Sequence, residues 1–425
     1  MKPDVAREFA RDADARDPLR AFRAKFAQPQ REDGSAVVYL CGHSLGLQPL
    51  AARQRVLEEL DAWARLAVDG HFTGLRPWLD YHERLNAGLA DLAGAQPGEV
   101  VAMNSLTVNL HLMMASFYRP VPGRSRILIE AGAFSSDRHA VASQIEWHGM
   151  RTGEALVELA PPAGSELLDE AGIEAFLDER GHEFALVLWP GVQFRTGQAF
   201  DLARIARAAR RAGARVGFDL AHAIGNLPLA LHDIDADFAV WCSYKYLNGG
   251  PGAIGGCFVH ERHGTDPTLQ RLAGWWGHDA ASRFRMLPGF RPMPGAAGWQ
   301  VSNPPILAAA PLLASLALFG EAGMASLRRK SVELSAFLER LVMRLPGVQI
   351  ITPKSADARG CQMSLRLNAE RAPAERVFQR LTASGAVCDW REPDVVRVAP
   401  VPLYNSFEDV RAFAERLERA LKEGE

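Results

Sequence analysis

Residues 241–250 read WCSYKYLNGG, a stretch that sets Lys245 between Tyr244 and Tyr246, just ahead of Gly249, Gly250 and Gly252. A lysine at a strand end is ordinarily a solvated charge. This one sits among apolar and aromatic neighbours, where an amine serves as a nucleophile. Upstream, residues 216–226 read VGFDLAHAIGN and place Asp219 at the close of another apolar run. Alone, Asp219 is a turn or cap residue. A carboxylate closing one strand and a lysine closing the next are together what pyridoxal 5'-phosphate (PLP) requires. The amine forms an imine with the aldehyde, and the carboxylate keeps the pyridine nitrogen protonated so that the ring accepts electrons.

Around this pair the chain alternates between strands and helices. RILIEAGAF (126–134) reads as a buried strand, after which Ser135, Ser136 and Asp137 offer an N-cap to RHAVASQIEWHG. FALVLWPGV (184–192) is a second strand, and Asp201 caps a helix that stops at Gly213. RVGFDLAHA, DFAVWCSYKY and AIGGCFVHE (253–261) supply three more strands. Strands joined by helical crossovers predict an α/β fold with a mostly parallel sheet, covered on both faces. Ligands of such sheets bind beyond the carboxyl ends of the strands, where Asp219 and Lys245 fall. The last third differs. Residues 304–345 are apolar and helical with one glycine-containing break, and the short strands CQMSLRL (361–367) and VVRVAP (395–400) follow. The organisation predicted is an N-terminal segment, 1–50, packing with a small α+β domain, 306–425, and a large cofactor-binding α/β domain, 51–305.

Composition narrows the class. Lys and Arg number 48 against 50 Asp and Glu, with no basic face or acidic tail, which argues against a nucleic-acid partner. The charged N-terminus lacks an apolar core and no long uninterrupted apolar run is present, so a soluble, cytoplasmic protein without membrane contact is expected. Five cysteines, none closely paired, predict neither a disulfide framework nor a metal centre but small buried residues.

Other residues fit a phosphorylated ring. Ser105 and Thr107 precede an apolar helical run in NSLTVNLHLMMASFYRP (104–120), and a helix start with hydroxyls suits a phosphate, though an N-cap alone is commonplace. Tyr244 is a further phosphate donor. Phe134 can stack on the ring and Asp137 assist at its nitrogen, or they are core and cap. His222 either orients Asp219 or contacts the phosphate.

These segments, with YLCGHSLGLQP (39–49), DGHFTGLRPW (69–78), AFSSD (133–137), GWWGHD (274–279), VSNPPIL (301–307) and RVAPVPLYNSF (397–407), resemble in order the kynureninase family, PLP-dependent hydrolases of fold type I, class V aminotransferase-like. The resemblance runs from about Tyr39 to Asp409. It implies the PLP-dependent transferase fold, with a sheet of the seven-stranded type plus the small domain, and a homodimer with shared active sites. It implies Lys245 as the Schiff-base lysine and Asp219 as the pyridinium partner, with Tyr244 relaying protons. Leu106, Thr107, Phe134, Ser135, Ser136, Asp137, His222, Tyr244, Trp275 and Asn303 would complete the cofactor site. Ser44, His71, Ser302, Asn303 and Arg397 would meet the substrate, Arg397 by gripping its α-carboxylate. The chain departs from the family at Ser135, where a proline is usual, and at Pro190, where some members carry a cofactor-site serine.

The activity implied is hydrolysis of L-kynurenine to anthranilate and L-alanine, and of 3-hydroxykynurenine to 3-hydroxyanthranilate and L-alanine, in tryptophan catabolism or the route to pyridine nucleotides. His71, Ser302 and Asn303 can read a ring hydroxyl, which favours the hydroxylated substrate. An aminotransferase remains open. A cysteine desulfurase would need a mobile nucleophilic cysteine, for which Cys361 is the one candidate. A dinucleotide-binding protein is disfavoured by the lack of a GxGxxG after a strand.

Overall fold

The computed structural model describes residues 2–266, 268–368 and 371–422. Seven strands form the main sheet: β1 (Val100–Ala102), β2 (Arg126–Glu130), β3 (Leu156–Leu159), β4 (Phe184–Pro190), β5 (Arg215–Asp219), β6 (Phe238–Trp241) and β7 (Gly256–Val259). Their order is β1-β7-β6-β5-β4-β2-β3. Pairing is parallel from β3 through β6, and β7 alone runs against its neighbours.

The central strands are buried on both faces because they carry consecutive apolar residues rather than alternate ones. Leu128, Val187, Trp189, Val216, Phe218 and Trp241 enter one apolar cluster. Their strand neighbours Ile127, Ile129, Leu186, Leu188, Phe238 and Val240 enter another on the opposite face. Two helices that start at the sheet's carboxyl edge matter below: α1 (Leu106–Phe117) and α2 (Ser135–Trp147). The Asp201 side chain accepts a hydrogen bond from the Arg204 amide and so opens the helix Leu202–Arg211, as its sequence predicts.

A third cluster gathers the C-terminal part of the chain. It joins Ala6, Ala10, Val38 and Leu40 to Leu334, Met363, Leu365, Val396, Val398 and Phe413. Its antiparallel sheet pairs Met363–Leu367 with Val348–Ile350 and with Val395–Val398, which also pairs Asp389–Arg391. The N-terminal segment joins it through parallel pairing of Val38 and Tyr39 with Ala386 and Val387. The helix Ile306–Ala322 contributes Ala309, Leu312, Leu316 and Phe319 to a core of the main sheet, whereas Leu334 and Leu338 of the next helix, Met324–Val342, face the smaller sheet. The core therefore changes hands near Gly323, with φ +72°, rather than at residue 306. The two helices meet at a bend of 83°, and no single described helix is long and apolar enough to cross a membrane.

Candidate active site

Asp219 ends β5 and lies beside Pro190 of β4 and Val240 of β6. Its Oδ1 accepts a hydrogen bond of 2.7 Å from the Ala221 amide, so the turn leaving the strand fixes the carboxylate. The chain leaving β6 folds into a tight turn in which the Asn248 amide donates to the Lys245 carbonyl at 3.0 Å and the Gly249 amide to the Ser243 carbonyl at 2.8 Å. The N-terminal segment braces this turn, with the Gly46 amide donating to the Tyr244 carbonyl at 2.8 Å. A Cβ on Gly46 would stand 2.4 Å from the Lys245 carbonyl oxygen, so only glycine allows that approach.

Lys245 and Asp219 line one cavity together with Leu106, Thr107, Phe134, Ser136, Asp137, His222 and Tyr244. Lys245 Nζ lies 3.0 Å from His222 Nε2 and 5.8 Å from the centre of the Phe134 ring. Phe134 is 41% exposed, an open aromatic face at the mouth of the cavity. Thr107 Oγ1 and Ser136 Oγ are 2.8 Å apart. They belong to the first turns of α1 and α2, neither of which has a side-chain cap. Two helix starts thus bring backbone N–H groups, dipole ends and hydroxyls to one point, a cradle for a phosphate.

At the other side, three carboxyls converge. Asp219, Asp137 and Glu130 are 9%, 7% and 2% exposed. Burial pushes the Glu130 carboxyl up to about 8, against the pull of its Gln193 hydrogen bond and with help from the charge of Asp219. Burial, then the charge of Asp219 and a hydrogen bond to it, hold Asp137 well above the carboxylate range. One oxygen of each, Glu130 Oε2 and Asp137 Oδ1, is buried without a partner. A protonated ring nitrogen beside Asp219 answers that excess of acid, so the residues present fit a pyridinium with a phosphate tail. His222 is kept well below its ordinary value by burial, then by Lys245 and Arg397, and is a neutral imidazole. The Tyr244 phenol is raised by burial and then by Cys242, which makes it a hydrogen-bond donor rather than a base.

Arg397 is 1% exposed and donates to the Phe194 carbonyl at 2.6 Å. Phe194 lines the cavity, so the guanidinium stands next to it. Ser44 Oγ donates 2.7 Å to Asp389, the ion-pair partner of Arg397. The remaining sequence-predicted residues lie elsewhere in the single chain. Ser135 is exposed at the start of α2, while Trp275, Ser302 and Asn303 are exposed and His71 is half-buried against Trp78. None of these five lines the cavity. Cys361, the candidate thiol nucleophile, is 1% exposed and its thiol is pushed up to about 12 by burial. It neither lines the cavity nor resembles an activated thiolate. All five cysteines are buried and free.

Several residues of the site escaped sequence reasoning. Glu130 ends the apolar run RILIE just as Asp219 ends VGFD, so the same signal was there. His43, fully buried with no hydrogen bond at either ring nitrogen and with Nε2 3.7 Å from Asp389, and Asp389 itself carry no local signal. Asp389 joins the site through its antiparallel register opposite Arg397.

A model of the kynureninase C-terminal domain family matches residues 327–417. Among solved structures, the cysteine desulfurase CsdA of Escherichia coli superposes with a TM-score of 0.75 at 18% identity, covering 95% of this chain and 98% of the other. A C-DES variant with glycine covalently linked to its PLP cofactor gives 0.74 at 19%, covering 90% and 96%. These likenesses establish the fold, that of the type I PLP enzymes. Kynureninase of Xanthomonas euvesicatoria pv. vesicatoria (strain 85-10) is 58% identical over 416 residues, 97% of this chain and 98% of that protein. Kynureninase of Xanthomonas axonopodis pv. citri (strain 306) is 57% identical over 420 residues, 98% and 99%. At that identity, sustained over nearly the whole of both chains, this chain belongs to the kynureninase family.

Proposed function

We propose that the chain is a PLP-dependent hydrolase that cleaves the β,γ carbon–carbon bond of L-kynurenine, releasing anthranilate and L-alanine. The observation that carries this reading is one cavity at the sheet's carboxyl edge, where a lysine amine, a strand-end carboxylate and two hydroxyl-bearing helix starts converge. When bound there, PLP supplies an electron sink for the carbanions of the reaction. Thr107, Ser136 and the first-turn amides of α1 and α2 hold the phosphate. Asp219, backed by the protonated Asp137, keeps the ring nitrogen charged. Phe134 covers the ring face. Lys245 Nζ would anchor the cofactor and, once free, would take the substrate α-proton, with neutral His222 placed 3.0 Å away to accept its hydrogen bond. Arg397 holds the α-carboxylate. Tyr244 would donate a hydrogen bond near the phosphate.

A desulfurase reading lacks its nucleophile, because Cys361 is sealed in the core. His71, Trp275, Ser302 and Asn303 serve, in this proposal, the cavity of a second subunit in a two-fold dimer. There Trp275 and Asn303 would meet the cofactor, and His71, Ser302 and Asn303 would read the ring hydroxyl of 3-hydroxykynurenine, which we propose as the preferred substrate. Localisation in the cytoplasm and a place in tryptophan catabolism or pyridine-nucleotide synthesis follow from the same reading. The test is incubation with PLP and L-kynurenine while anthranilate fluorescence is followed. No fluorescence from a protein that has taken up PLP would sink the reading.

A further inference from the structure

The Arg397 end of the site holds more positive charge than its partner balances. Asp389 and Arg397 face each other across an antiparallel pair of strands. Asp389 Oδ2 forms the ion pair with Arg397, accepts from Arg391 Nη2 at 3.0 Å and accepts from Ser44 Oγ at 2.7 Å. One carboxylate is therefore divided among two guanidinium groups and a hydroxyl. Arg397 Nε and Arg391 Nε are both buried without a partner. Both guanidinium groups stand over the Phe194 ring, at 5.9 and 5.7 Å. The neighbouring acid, Asp394, is engaged by Arg195 at 3.8 Å and Arg366 at 3.3 Å.

Two bare N–H donors beside a shared counter-ion call for a second anion. A cation is disfavoured, although Cys41, His43 and Asp389 bring potential ligand atoms within 4.8 Å of one another. Burial, and then Arg397, Lys245 and Arg391, all oppose positive charge at His43. Without Asp389, the two guanidinium groups would repel each other, and a buried Arg397 would lose its only charged partner among the described residues. The hydrogen bond to the Phe194 carbonyl would then be left to orient it alone.

We propose that Asp389 is a positioning residue for substrate: it clamps Arg397, Arg391 and the Ser44 hydroxyl so that the Arg397 guanidinium is held in place beside the cavity for a carboxylate of the substrate. This rests on reading Arg397 as the carboxylate-binding residue, and the experiment separates the two. Holoenzymes carrying Asp389→Asn, Asp389→Glu and Arg397→Ala are compared with wild type. Cofactor content is read from visible absorbance, and kcat and KM are measured with L-kynurenine. Binding of two probes is followed by the cofactor spectrum: L-alanine, which carries the α-carboxylate, and the decarboxylated amine of kynurenine, which lacks it.

Asp389→Asn retains cofactor, raises KM by about 10- to 100-fold with a smaller change in kcat, and weakens L-alanine but not the amine. Asp389→Glu restores part of the loss. If Asp389→Asn does not retain cofactor, Asp389→Glu alone must shift KM and the alanine affinity in the same direction. An unchanged or lower KM, or equal weakening of both probes, overturns the role of Asp389. If Arg397→Ala abolishes discrimination between the probes while Asp389→Asn preserves it, only the role of Asp389 falls. If Arg397→Ala still discriminates, the reading of Arg397 itself falls.

Discussion

Two groups of residues in this molecule carry the same kind of motif and meet opposite fates. Lys245, Asp219, His222, Asp137 and Thr107 sit at strand ends and helix starts and converge within one chain. His71, Trp275, Ser302 and Asn303 sit in loops and short 3-10 turns and engage only their own neighbours, as in the Ser302–Asn303 contact of 3.4 Å. Exposed apolar side chains surround them: Phe72 at 60%, Leu75 at 78% and Phe284 at 54%. Regular structure fixes the first group because every buried backbone group must be paired. The second lies on a surface whose apolar content suits coverage by another copy of the chain. One chain supplies the residues that line the cavity, and the contributions of His71, Trp275, Ser302 and Asn303 are the part we propose is finished by assembly.

The largest effect tests the half that one chain supplies. Lys245→Ala should lower turnover by at least about 10³-fold, and borohydride should no longer fix the cofactor to the protein. Retention of turnover near wild type would mean that the cavity is not the reaction site.

The other half is tested by substrate preference. The combined change His71→Phe with Asn303→Thr should shift the ratio of kcat/KM for 3-hydroxykynurenine over kynurenine by about tenfold toward kynurenine. An unshifted ratio, in a protein that is dimeric by sedimentation, removes these residues from ring recognition.

A smaller effect concerns the acid cluster. The carboxyl of Glu130 is raised from 4.5 to about 8 in the folded protein, so the folded state holds a proton that the unfolded state has released. Stability of the cofactor-free protein should therefore fall as pH rises between those values and level off above about 8. Glu130→Gln should flatten that fall, by about 1–3 °C in Tm between pH 5 and pH 8. Parallel Tm profiles for the two proteins would show that Glu130 does not titrate in this window.

The smallest effect is at Cys361. Because its thiol is buried away from the cavity, Cys361→Ala should leave turnover within about twofold and lower Tm by a few degrees at most. Loss of turnover without loss of Tm would revive a thiol mechanism.

Much of the site could be read from linear sequence because parallel α/β sheets place function at strand ends, where a charged residue after an apolar run stands out. Asp219, Lys245 and the cap at Asp201 all followed that pattern. So did Glu130, which was overlooked because a terminal Glu on RILIE also reads as the solvated end of a strand. Ser135, Ser136 and Asp137, read as an N-cap, instead fall inside the helix, which starts after Phe134 with no side-chain cap. The short β1 and β3 gave no apolar run long enough to stand out. The helical stretch 304–345 was legible with its glycine break, yet its first half belongs to the core of the main sheet, a partnership that periodicity alone does not specify.

The sequence by itself determined the α/β alternation, the lysine and carboxylate at successive strand ends, and the family. Each depends on local apolar patterning or on residues close together in the chain. Only the tertiary structure decided that Asp389 faces Arg397, that Glu130 and Asp137 share the acid cluster with Asp219, and that Cys361 is sealed away. Register, burial and the resulting protonation arise from contacts between residues far apart in sequence, and no local pattern encodes the desolvation that sets them.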